Sequence, residues 1–244
     1  GENVHIPDAT MTAMTPEEAV RHVVTTNPTF ALHEVDVRGV TFKAFKNIPP
    51  NVPRLLAAGW AQHGDGQLEY LAYEDESQTY AEFTSGVNKL AHAMRDELGL
   101  GQGDRVAVAM RNYPDLLMSV LAISSIGGIV VFLNAWWTSE ELDYALRDSE
   151  AKVVFADGPR MERLQPLKEA LGLTLISVRD AKGHGAFDID ALIEGAKAGT
   201  APEVTIDTDD DFAIMYSSGT TGSPKGVVQT HRGAVNAVFS WLMQ

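Results

Sequence analysis

Phe212-Ala-Ile-Met-Tyr-Ser-Ser-Gly-Thr-Thr-Gly-Ser-Pro-Lys-Gly-Val-Val228 sets a polar loop between two apolar runs that read as buried strands. From Ser217 to Gly226 the segment holds five hydroxyl side chains, three glycines, one proline and one lysine, and neither an acid nor an apolar side chain. Such a loop can wrap an anion. The glycines permit backbone dihedrals that turn successive N–H groups inward, the hydroxyls add donors, and Lys225 adds a mobile positive charge. A Ser/Gly linker is the plainer alternative, but linkers rarely lie between strand-like runs and ahead of a helical pattern such as that from about His231 to Met243.

Spacing separates this loop from commoner nucleotide motifs. A Walker loop requires adjacent Gly-Lys-Ser/Thr opening a helix, whereas Pro224 precedes Lys225 here and Gly226 follows it. Gly99, Gly101 and Gly103 come after a helical pattern and before the strand-like Arg105–Met110, the reverse of a dinucleotide-binding turn. Gly99 is therefore read as a helix C-cap and the other two as turn residues.

Working outward, strand and helix patterns alternate. Thr15-Pro-Glu-Glu18 is a capping box opening a helix to about Thr26, and Glu34–Val37 with Val40–Phe45 forms a hairpin about Arg38-Gly39. Leu55–His63 reads as helix, and Leu68–Tyr73 pairs with Ser77–Thr79. The helix Tyr80–Leu98 places Phe83, Val87, Leu90, Ala91, Met94 and Leu98 on one face. Short apolar strands follow at Arg105–Met110, Ile129–Leu133, Lys152–Ala156 and Thr174–Val178. Helices at Pro114–Ile126, Ser139–Arg147 and Pro159–Leu171 separate them, and Thr138 caps the second. This rhythm predicts an α/β fold with a largely parallel sheet and helices on both faces. Lys182–Ala186 and Gly195–Pro202 read as surface loops.

Composition narrows the function. The 244 residues are 45% hydrophobic, enough for a substantial core, and carry 19 basic against 33 acidic residues for a net charge of −14. That balance argues against a nucleic-acid partner, so an anionic substrate must be handled locally by the loop. The absence of cysteine excludes disulfides and thiolate metal sites and suits a reducing compartment, so a cytoplasmic location is expected. Leu116–Ser139 has no charged residue across 24 positions, but the serine and glycine pairs inside it favour helix, turn and strand over a membrane span. The acidic run Asp207–Asp211 lacks the glycine and terminal glutamate of a calcium loop and reads as a solvated turn; no metal site is assigned. His22, His33, His63, His92 and His184 show no ligand spacing. His231 opens the helix after the loop, where its imidazole could face substrate or serve simply as a helix-start residue. No Gly-x-Ser-x-Gly elbow supports a serine hydrolase built on Ser217 or Ser218.

The segment Tyr216–Val227 resembles the signature loop of the acyl-adenylate-forming superfamily, which includes acyl-CoA synthetases, luciferases and peptide-synthetase adenylation domains. Tyr80-Ala-Glu-Phe83, Gly103–Val108, Glu141–Ser149 and Ala151–Val154 stand in the order such enzymes show, so the resemblance runs from about residue 50 to the end. It implies the N-terminal part of the large domain of an adenylate-forming enzyme: an extension of helix and hairpin over 1–50, and a partial adenylation domain over 51–244 that continues beyond Gln244 in relatives. Carried over by position, Ser217, Ser218, Gly219, Thr220, Thr221, Gly222, Ser223 and Gly226 would hold the ATP phosphates, and Lys225 would steady departing pyrophosphate. His231 would border the substrate pocket.

The implied reaction joins a carboxylic acid to ATP with Mg2+ and passes the acyl group to coenzyme A. Asn134-Ala-Trp-Trp137 departs from relatives that often carry arginine at the place of Trp136, so the paired indoles are either core or an acyl-channel wall. The whole is closest to fatty-acid or related acyl-CoA synthetases, with aryl and amino acids as open alternatives. A homo-oligomer is compatible with the expected apolar surface. A non-catalytic nucleotide-binding or interaction domain that retains the loop is the reading from another class.

Overall fold

The computed structural model describes residues 15, 18, 31–37, 39–47, 49–62, 69–73, 76–217 and 223–242. Residues 49–235 form one compact unit, and residues 1–48 with 236–244 form a second. In the second unit, β1 (Leu32–Val37) pairs antiparallel with β2 (Val40–Phe45), the hairpin expected of these runs. The Thr15 capping box is present: Thr15 Oγ1 accepts from the Glu18 N–H at 3.2 Å, and the Glu18 carboxylate accepts from the Thr15 N–H at 2.9 Å. The expected helix beyond Glu18 lies outside the described residues.

The larger unit opens with α1 (Val52–Gln62), then the antiparallel pair β3 (Glu69–Tyr73) and β4 (Glu76–Thr79), then α2 (Tyr80–Asp96). Thr79 and Glu82 exchange side-chain and backbone hydrogen bonds at the start of α2, which satisfies two orphan donors. The face read from its periodicity is the face that packs: Phe83, Val87, Leu90, Ala91 and Met94 are fully buried. Gly99 takes a left-handed φ of 64° just beyond the helix, where a side chain would be strained.

Seven strands make the main sheet. After β5 (Arg105–Ala109), α3 (Pro114–Ser125), β6 (Ile129–Phe132), α4 (Ser139–Ser149) and β7 (Val153–Ala156), the chain forms α5 (Gly158–Leu164), a 3-10 turn and α6 (Lys168–Leu171). It continues through β8 (Thr174–Ser177), β9 (Phe187–Asp188), α7 (Ile189–Glu194), β10 (Asp211–Ser217), β11 (Lys225–Thr230) and α8 (His231–Leu242). The sheet order is β11-β10-β6-β5-β7-β8-β9. Every neighbouring pair is parallel except β10–β11.

Both faces of the sheet are covered, because alternate strand residues point opposite ways and both sets are buried. Ala107, Ala109, Val131, Val154 and Leu175 join Leu142, Leu146, Met161 and Leu164 of α4 and α5 in one apolar cluster. Val106, Val108, Val130, Phe155 and Ile176, of opposite parity, are equally buried, and α3 packs on β5 and β6.

Two local outcomes correct the expectations, and a third bears one out. The helix read as continuous from Pro159 to Leu171 breaks after Leu164, because Pro166 has no N–H to carry the hydrogen-bond ladder onward. The two-residue β9 and six-residue α7 were not anticipated; they are too short for periodicity to reveal. The uncharged stretch from Leu116 divides into α3, a turn at Gly127-Gly128 and β6. Among the described residues no helix is long and apolar enough to cross a membrane.

Candidate functional site

The carboxyl ends of the parallel strands converge on one edge of the sheet, where ligands of open α/β sheets bind. There β10 turns into the Ser/Thr/Gly loop and returns as β11, with Ser217 opposite Lys225 and Tyr216 opposite Gly226. Ser218, Gly219, Thr220, Thr221 and Gly222 lie outside the described residues. Their flanks are placed: Ser217 ends β10, Ser223 is exposed, and Lys225 opens β11. Lys225 is exposed, and no described residue pairs with its ammonium group. Among the described residues β11 has no further neighbour in the sheet, and Val227 and Val228 are exposed on it.

Gly226 is needed at the hairpin base for space. A Cβ there would lie 3.2 Å from Tyr216 Cε1 and 3.3 Å from Ile214 Cγ2, so the Tyr216 ring lies directly over the glycine. The hydroxyl borne by that ring reaches α4: Tyr216 Oη donates to Asp148 Oδ2 at 2.7 Å, with the Ala145 carbonyl at 3.3 Å. Trp137 meets the ring edge-on at 6.0 Å. Burial first, then the Asp148 carboxylate, raises the Tyr216 pKa well above the ordinary phenol value, so the hydroxyl keeps its proton.

At the end of β7 the same edge is closed. Asp157 and Arg160, exposed by only 0% and 4% at their side chains, form an ion pair of 2.6 Å. Asp157 also accepts from the Arg111 N–H at 3.2 Å and the Arg160 N–H at 3.4 Å, capping α5. Arg160 donates to the Ala135 carbonyl at 2.9 Å, and Arg163 donates to the same carbonyl at 2.8 Å. These arginines hold the loop after β6, where the paired indoles part company. Trp137 is core, whereas Trp136 is 71% exposed with the Arg111 guanidinium 5.3 Å from its ring centre. Between the ends of β5 and β6 a recess of about 330 Å³ is lined by Met110, Arg111, Leu116, Phe132, Asn134 and Trp136.

Sequence reasoning missed Asp157, Arg160 and Arg111. The Asp157-Gly-Pro start of α5 was a readable capping signal; the arginine contacts join residues far apart in the chain and carried none.

His231 has no exposed surface. Its Nδ1 accepts from the Val52 N–H at 3.2 Å at the start of α1, and the Phe212 ring lies 5.4 Å away. Burial lowers its pKa, and Asp210 partly opposes that shift. The imidazole therefore joins two helix starts through Nδ1. The acidic run Asp207–Asp211 forms the turn before β10, with Asp209 bound to Arg232 at 2.8 Å and Asp210 Oδ2 accepting from the Asp207 N–H at 2.9 Å. Among the described residues no group of three or more His, Asp or Glu side chains is arranged to hold a metal ion.

A larger recess, about 920 Å³, lies between α2, α3 and α7, but Glu76, Glu82, Asp115 and Asp190 line it. Four carboxylates repel a polyphosphate, so its size does not make it the anion site. The exposed Lys225 and the described flanks of the hydroxyl-rich segment stand instead at the carboxyl edge, where open α/β domains bind ligands.

The chain belongs to the AMP-binding enzyme family, whose model matches residues 59–244. It is 32% identical over 206 residues to 4-coumarate-CoA ligase 2 of Oryza sativa subsp. japonica, covering 79% of this chain and 36% of the relative. Long-chain-fatty-acid-CoA ligase FadD13 of Mycobacterium tuberculosis is 32% identical over 169 residues, covering 68% and 32%. The anthranilate CoA ligase AuaEII, solved with anthranoyl-AMP, shares the fold at a TM-score of 0.69 and 22% identity, covering 75% of this chain and 35% of that one. The chain thus spans about a third of the length of these relatives.

Proposed function

We propose that this chain supplies the phosphate-handling part of an ATP-dependent acid-thiol ligase that makes acyl-CoA thioesters. The observation that carries the reading is the hydroxyl- and glycine-rich loop, free of acidic residues, whose flanks stand at the carboxyl edge of the sheet, with Lys225 exposed beside it. The names of the relatives, CoA ligases for aryl and fatty acids, support the reaction class.

In the proposed first step a carboxylate oxygen attacks the α-phosphorus of ATP, and the bond to pyrophosphate breaks. A thiolate of coenzyme A then attacks the acyl carbon, and AMP leaves. The first step brings two anions together, so the site must neutralise and align rather than supply covalent chemistry. Ser217, Ser218, Thr220, Thr221 and Ser223, with the amides of Gly219, Gly222 and Gly226, are proposed to hold the phosphates. Magnesium is proposed to accompany the triphosphate and neutralise part of its charge. Lys225 is proposed to balance charge that grows on the leaving pyrophosphate, an interaction stronger in the transition state than before it. The burial of His231 and its bond to Val52 support a packing role beneath this edge rather than contact with the acid. A fatty or related acid is the proposed substrate, and the cytoplasm the proposed setting.

The test is acid-dependent exchange of labelled pyrophosphate into ATP, using the product of the complete reading frame and a panel of aryl and fatty acids of graded length. Exchange that rises with one class of acid is the expected result. Exchange that stays flat with every acid, while nucleotide still binds, would leave the non-catalytic domain as the better description.

A further inference from the structure

The parallel ladder that anchors β10 stops short of the loop. Its partners in β6 are Val130, Val131 and Phe132, opposite Ala213, Ile214 and Met215, so Tyr216 and Ser217 run beyond the last β6 contact. On the other side β11 is the edge of the sheet. Among the described residues, the hairpin end that carries Lys225 therefore has no ladder partner beyond its own two strands. The Tyr216 side chain spans that gap, with its ring over Gly226, its edge against Trp137, and its hydroxyl on Asp148 in the last turn of α4.

We infer that Tyr216 and Asp148 are positioning residues for the phosphate loop, a strut that sets where Lys225 stands relative to the carboxyl edge; the inference rests on the acid-activating reading above. Three features of the contact fit a strut. Tyrosine loses little conformational freedom when ordered, having two side-chain torsions, so it holds distance well. Its 2.7 Å bond is to an ionised carboxylate, which makes it stronger than a neutral pair. The ring also lies 3.2 Å from where a Cβ at position 226 would stand, so the glycine of β11 lets it pack closely on its way to a helix on the sheet's face. The strut acts through Lys225 and touches no reacting atom.

Two measurements on the product of the complete reading frame test it. Tyr216→Phe removes only the hydroxyl and keeps the ring. We expect it to lower acid-dependent pyrophosphate exchange about five- to tenfold at unchanged apparent affinity for the acid. In a Lys225→Ala background the same substitution should have no further effect, because the lysine it positions is gone. Asp148→Asn retains an acceptor oxygen and should lose less than Asp148→Ala. Full additivity of Tyr216→Phe and Lys225→Ala would overturn the inference while leaving the ligase reading intact. Amide hydrogen exchange at Gly226–Gln229 needs no activity: Tyr216→Phe should speed it several-fold while β5–β7 and the thermal midpoint are unchanged. Exchange there equal to that of the parent protein would end the proposal, whatever becomes of the reading on which it rests.

Discussion

Two strands end at the same edge of the sheet and treat charge in opposite ways. At the end of β7, Asp157 and Arg160 are almost wholly buried and consume each other's hydrogen-bonding capacity, together with the Arg111 amide and the Ala135 carbonyl. Across from the end of β10, Lys225 is exposed and pairs with no described residue. A polar group satisfied inside the chain stiffens a scaffold; one left outward can meet a ligand. The carboxyl edge of an α/β sheet marks where a site can be, and the state of its polar groups decides which strand end carries it.

The largest effect that would test this contrast is in stability. Arg160→Ala leaves the Asp157 carboxylate buried without its partner and is expected to cost about 3–5 kcal/mol, read from denaturant unfolding. A loss below about 1 kcal/mol, the scale of an exposed pair, would erase the distinction drawn for that strand end. Lys225→Ala should do the reverse, changing stability by under about 0.5 kcal/mol. In the product of the complete reading frame it should slow single-turnover adenylation by about a hundredfold. Unchanged adenylation would remove the lysine from the site.

A smaller effect sharpens the comparison beneath the hairpin. The His231 pKa lies below its unfolded value of about 6.5, chiefly through burial, so the unfolded chain takes up a proton that the native chain refuses. Stability from this residue is complete above about pH 6.5 and falls as pH drops toward the depressed native value, by at most about 1.4 kcal/mol per pH unit. His231→Gln should flatten that slope between pH 7.5 and 5.5 in urea titrations. A slope that survives the substitution would assign the pH dependence to other groups.

Much of the scaffold was legible because it follows local rules. The apolar face of α2, the Thr15 and Thr138 caps, and the split of the uncharged 116–139 stretch into helix and strand all depend on residues within a few positions of one another. The break at Pro166 was equally local and was missed only because the pattern on either side looked continuous. The loop was conspicuous because a run of hydroxyls and glycines between two apolar strands has few structural uses. Trp136 and Trp137 were harder: adjacent in the chain and identical in type, they differ only in what folds around them, and one is core while the other is 71% exposed.

Local chemistry along the chain was enough to establish the α/β rhythm, the hydroxyl- and glycine-rich loop and the acidic balance of the whole, since propensity, capping and charge act over short distances. Tertiary structure alone decided that Asp157 is spent on Arg160, that His231 is walled in against Val52 and Phe212, and that Tyr216 reaches Asp148. Those pairings turn on strand order and helix placement, which bring together groups up to 179 positions apart. Only burial then determines whether a charge or an imidazole faces a ligand or another part of its own chain.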